Sequence, residues 1–94
     1  MTNITDEKFR TFFNDNVRAA MDLAGLNNAE LARRAGMYDV EISRLLRGAV
    51  PWQCQKAVNV CNVLGLDMTI VLQRPARKKE IREMVLLAAN KDSA

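Results

Sequence analysis

The chemically versatile side chains of this sequence are few, and their spacing narrows what they can do. Two cysteines, Cys54 and Cys61, are its thiols, and it contains no histidine. Without histidine, the commonest general base and the commonest metal ligand are both missing. Two thiols with no imidazole fall short of a tetrahedral zinc site, so neither a metal nor a cofactor is expected. The cysteines stand seven residues apart within one helical pattern, which separates their backbones by about 10.5 Å at about 1.5 Å per residue. A disulfide tolerates only up to about 7 Å between Cα atoms. Both therefore read as buried free thiols in a reducing, cytoplasmic setting. No catalysis is expected from this set.

The remaining chemistry is charge. Fourteen basic residues against 11 acidic ones give a formal charge of +3 and a pI near 9.2. That balance suits a nucleic-acid partner without requiring one. The excess is concentrated in Arg74, Arg77, Lys78, Lys79 and Arg82, beside Pro75. A phosphate-contacting arm, a partner-binding patch and a solvated helix start are all compatible with that cluster. Ninety-four residues, 49% of them hydrophobic, suit one domain with a single modest core. The apolar runs are only a few residues long, against the roughly 20 that span a bilayer, so no membrane is expected. Asp6 and Glu7 precede any apolar run, unlike a signal peptide.

The elements that must carry these groups are mostly helical. A first helix is expected from a cap at Thr5, with Asp6 and Glu7 in the turn where acids suit the dipole. Phe9, Phe13, Val17, Met21 and Ala24 follow as one apolar stripe. Asn14-Asp15-Asn16 is polar enough to divide that stripe into two helices, and Gly25 closes it. Asn27 opens a second helix with Glu30 at capping-box spacing, Leu31, Ala32 and Ala35 inside, and Gly36 as its stop. Met37 and Tyr38 separate that stop from a third helix, whose Ile42, Leu45 and Leu46 turn inward before Gly48. Two short helices joined by a tight glycine-containing turn make a helix-turn-helix unit.

Pro51 and Trp52 lead into a fourth helix, with Cys54, Val58, Cys61 and Leu64 on one face and Gly65 at its end. Trp52 is expected in the core, and the Phe9, Phe12 and Phe13 cluster in the core or at a dimer contact. Residues 68–72 are β-prone, with Met68, Ile70 and Leu72 on one side. A last helix, over about 76–89, turns Ile81, Met84, Val85 and Ala88 inward. A lone strand in a helical chain must satisfy its amides elsewhere. Met68, Ile70 and Leu72 are therefore the expected dimer seam, through antiparallel pairing with the same strand of a second copy.

The stretch from Asn27 to Gly48, NNAELARRAGMYDVEISRLLRG, resembles the helix-turn-helix of phage repressors (the XRE/Cro type) and of related bacterial regulators and antitoxins. Glu30-Leu31-Ala32, Gly36 and Ile42-Ser43-Arg44-Leu45-Leu46-Arg47-Gly48 carry the likeness, which continues through Leu64-Gly65-Leu66-Asp67 and covers roughly residues 17–73. Each position has a mechanical reason. Ala32 is small enough for the second helix to cross closely over the third, Gly36 supplies a positive φ, and Ile42 and Leu45 anchor the third helix. The resemblance implies a mainly α fold, a lambda-repressor-like helix-turn-helix bundle with one short C-terminal β-strand and flanking helices. Residues 1–94 would then be a single DNA-binding domain.

The resemblance also implies a docking geometry. The third helix would enter the major groove with its N-terminal residues toward base edges, making Asp39, Val40, Ser43 and Arg44 the candidate readers. Arg44 suits guanine O6 and N7, Val40 a thymine methyl, and Ser43 a base or a phosphate. Asp39 and Glu41 place acids where the family more often has Gln, Arg, Ser or Thr. Both favour a helix N-terminus, and Asp39 is also a candidate acceptor for cytosine N4. Asn28 is a candidate phosphate contact at the start of the second helix, and Arg47, Gln53 and Lys56 form a second candidate phosphate cluster.

The expected function is that of a cytoplasmic, sequence-specific transcriptional regulator, a repressor that binds double-stranded DNA at a palindromic operator as a homodimer. The alternative is an antitoxin that neutralises a toxin protein and autoregulates its operon. The ending from Leu64 to Leu72 favours it, being similar to antitoxins that pair with kinase or ribonuclease toxins. A helix-turn-helix scaffold that binds no DNA is a third reading.

Overall fold

The computed structural model describes residues 3–4, 7–67 and 77–92, with side chains for residues 10–67 and 77–88. Its elements are β1 (Asn3–Ile4), α1 (Glu7–Ala24), α2 (Asn28–Ala35), α3 (Asp39–Leu46), β2 (Trp52–Gln53), α4 (Cys54–Leu64) and α5 (Lys78–Asp92). The described chain is mainly helical. The strand expected over 68–72, with Met68, Ile70 and Leu72, lies outside the described residues, as do Thr5 and Pro75.

Helical periodicity runs straight through the polar triplet of α1, which is one helix of 18 residues. Asn14 and Asn16 do not break it because both are buried. The Asn14 amide is committed to partners outside its own turn, so it does not compete for the local backbone. The pairing of β1 with β2 has no counterpart in the sequence pattern. It is antiparallel, with Asn3 opposite Gln53 and Ile4 opposite Trp52. Strands of two residues are too short to show an alternation.

One core joins all five described helices. Phe13, Val17, Ala20 and Met21 of α1 meet Leu31, Ala32 and Ala35 of α2, Ile42, Leu45 and Leu46 of α3, and Trp52. Ile81 and Val85 of α5 complete it. α2 packs on α3 and α4, while α5 lies across α1 and touches α4. Inward assignments change on α1 and α4, and on α5 Met84 and Ala88 are half-buried beside the buried Ile81 and Val85. Ala24 is exposed at the end of α1. On α4, Cys54 and Val58 are only half-buried, and Ala57 and Val60 join Cys61 and Leu64 inside. That helix is apolar on both rows, so its period alone does not choose between them. Contact with α2 and α5 does.

Cys61 is 1% exposed, and burial, helped by the Asp67 carboxylate, pushes its thiol from 9.0 up to about 12. The folded state therefore keeps a proton that the unfolded chain releases. Stability from this group is intact below pH 9 and falls as pH rises from there toward 12. At pH 10 the parent protein is expected to lose roughly 1–2 kcal/mol, relative to pH 7, that Cys61→Ala does not lose. Urea titrations of both proteins at the two pH values measure this. Parallel losses would mean that Cys61 ionises as freely folded as unfolded.

Candidate nucleic-acid interface

The start of α2 is closed by the Asn27 side chain, which accepts the Glu30 amide at 2.8 Å. Its end is closed by Gly36 at φ 71°, a left-handed conformation that costs glycine little. The Met37 amide then donates back to the Ala32 carbonyl at 2.8 Å. Tyr38 occupies the cap position of α3 in an extended conformation, without a side-chain cap bond. Its carbonyl accepts the amides of Glu41 and Ile42, both at 3.1 Å, and the residue is 79% exposed.

From that start, α3 turns Ile42, Leu45 and Leu46 into the core. Asp39, Val40 and Arg44 face outward, and Glu41 and Ser43 are half-buried. Acids in the first turn and Arg44 in the last both suit the helix dipole.

Three contacts from other elements hold α3 in place. Near its N-terminus the Glu41 carboxylate is ion-paired with the Lys56 ammonium of α4. At its other end, Asn14 of α1 donates to the Leu45 carbonyl at 3.0 Å and accepts the Trp52 indole N–H at 2.7 Å. One turn further along α1, Arg18 donates to the Leu46 carbonyl at 2.5 Å. These carbonyls belong to the last turn of the helix, where intrahelical donors run out. Trp52 itself is fully buried and stands edge-on to Phe13, with ring centroids 5.0 Å apart and planes at 87°. Buried, satisfied networks of this kind set an orientation more sharply than apolar packing alone.

The candidate contact residues separate into groups. Asp39, Val40 and Arg44 share the outer side of α3. Asn28, Ser43 and Arg47 line an open cleft of about 710 Å³ between α1, α2 and α3, together with Arg18 and Asn27. Arg47 follows the end of α3, its Nε donating to the Ser43 carbonyl at 3.4 Å. The expected grouping of Arg47 with Gln53 and Lys56 is modified. Arg47 lines the α1–α3 cleft, Lys56 is held on Glu41, and Gln53 is exposed where β2 runs into α4.

Sequence reasoning missed Asn14 and Arg18 as supports of α3, and Tyr38 as an exposed aromatic at its lip. A tyrosine at a cap position, where its hydroxyl cannot reach the backbone, was the available signal for the last. Nothing in the spacing of α1 says which of its rows crosses α3.

Among the described residues no helix is long and apolar enough to cross a membrane, and no three Cys, Asp or Glu side chains gather where they could hold a metal. No family model, curated protein or solved structure matches the chain.

Proposed function

We propose that this chain is a sequence-specific DNA-binding regulator, a repressor acting at a palindromic operator as a homodimer, with α2 and α3 as a helix-turn-helix and α3 as the reading helix. The observation that supports this most is the division of α3. Its apolar row is buried, its opposite row carries Val40 and Arg44 outward, and both ends are tied to neighbouring helices. A short surface helix locked at both ends, with a mixed polar and apolar outer row, suits a rigid reader of base edges. Asn28, Ser43 and Arg47 beside it suit a phosphate.

The test compares a site selected from a random duplex library with an unselected duplex of equal length. Arg44→Ala is expected to relax preference at one base position, costing roughly 1–3 kcal/mol there. Arg47→Ala is expected to weaken binding to both duplexes alike and to flatten the dependence of log K on log salt by about one unit. Lys56→Ala should flatten it less, because its ammonium already sits on Glu41. Equal losses on both duplexes for Arg44→Ala would remove it as a reader. Absence of salt-dependent binding to any duplex would end the DNA-binding reading.

One observation favours the antitoxin alternative. Leu86 and Leu87 of α5 are 54% and 62% exposed, an adjacent apolar pair of the kind a protein partner covers. Co-expression with the product of the adjacent gene tests it. Leu86→Glu with Leu87→Glu should then abolish a complex while leaving duplex binding unchanged.

A further inference from the structure

We infer that Arg10 and Arg18 of α1, with Arg47 beyond α3, form a second phosphate-contacting strip, which takes the backbone of the DNA strand passing the C-terminal end of α3. The inference rests on the DNA-binding reading above and extends it to α1, a helix that the sequence pattern assigns to the core or to a dimer contact.

Arg10, Asn14 and Arg18 are spaced four residues apart and form one row along α1. Asn14 anchors the middle of that row to the Leu45 carbonyl, and Arg18 anchors its far end to the Leu46 carbonyl. The two arginines are thus carried on either side of a buried anchor, directly over the end of α3. A second opening of about 290 Å³, lined by Arg10, Asp15, Arg18, Arg47 and Gly48, adjoins the larger cleft. The two share Arg18, Leu46 and Arg47. Together they make one trench, from Asn28 at the start of α2, past Ser43 and Arg47, to Arg10.

The chemistry of the trench matches a phosphodiester strand. Its cations are all arginines, whose planar fork presents several N–H donors to phosphate oxygens. Arg18 spends one donor on Leu46 in a part-buried bond, which leaves its other N–H donors for a phosphate, and the residue as a whole is exposed. Asp15 and Asp22 also line the trench, so three arginines oppose two carboxylates. That balance suits strand guidance, in which a few forked contacts act at set positions. A bulk positive field would need a larger excess of cations.

The experiment titrates the selected site and an unselected 20-base-pair duplex by fluorescence anisotropy over a series of salt concentrations. Arg10→Gln and Arg18→Gln are each expected to flatten the log K against log salt slope by about one unit, and the double variant by about two. Arg18→Lys is expected to recover most of the slope, because it restores the charge even where the bond to Leu46 is weakened. A purely structural role for Arg18 would lower the melting temperature and leave the slope alone. Arg10→Gln carries the test if Arg18→Gln does not fold. Unchanged slopes in Arg10→Gln and Arg18→Gln, beside a steep parent slope, would take the strip off the DNA path while leaving the DNA-binding reading intact. A parent protein with no salt-dependent binding would overturn both. Losses confined to the selected site would overturn the phosphate assignment by making these residues base readers.

Discussion

Trp52→Ala is expected to cost about 3–5 kcal/mol, the usual range for emptying an aromatic site in a packed core. A chain of this length holds roughly 5–14 kcal/mol in total, so much of the margin would go with one side chain. The indole is fully buried, meets Phe13 edge-on and donates to Asn14. Its removal opens a cavity and strips Asn14 of its N–H donor at the same time. Trp52→Phe separates the two effects. It keeps a ring beside Phe13 but leaves the Asn14 oxygen unsatisfied, at an expected cost of about 1–3 kcal/mol. Urea unfolding followed by far-ultraviolet circular dichroism measures both, since Trp52 is the sole tryptophan and its fluorescence is lost. A cost below about 1 kcal/mol for Trp52→Ala would contradict its place at the centre of this network.

Gly65→Ala is expected to cost about 2–4 kcal/mol, from two sources that act together. The residue has φ 77°, where a side chain costs about 1 kcal/mol. A methyl group there would also overlap the Ala88 side chain and stand 2.8 Å from the Met84 carbonyl oxygen, adding roughly 1–3 kcal/mol of overpacking. Gly36→Ala provides the control. Its φ is 71°, and nothing lies within 4 Å of an added methyl, so only the backbone term of about 1 kcal/mol applies. Thermal unfolding of both variants, with hydrogen exchange at the α5 amides, separates the two terms. Equal losses in the two proteins would show that α5 does not rest on Gly65.

Much of the local structure was legible because its causes are local. The Asn27 cap acts on an amide three residues away. Gly36 ends α2 by its own φ, and the inward row of Ile42, Leu45 and Leu46 follows from the helical period. Trp52 could be assigned to the core from its size and place between two helices. α4 marks the limit of this reasoning. Two apolar rows satisfy the same period: the sequence pattern points to Cys54 and Val58, and packing selects Ala57 and Val60.

The sequence by itself determined where α2 and α3 begin and end and which of their rows turns inward, because caps, left-handed glycines and helical periodicity act within about four residues. Only the tertiary structure decided how α3 is held and which outward cations share a surface. Asn14 reaches Leu45 across 31 residues, Arg18 reaches Leu46 across 28, and Trp52 reaches Asn14 across 38. Those bonds depend on how α1 crosses the end of α3, a geometry set by side-chain packing along the whole contact. The same crossing aligns Arg10 and Arg18 with Arg47, and the meeting of α3 with α4 pairs Lys56 with Glu41. Charge read along a chain counts these cations alike, and their positions in space give them different partners.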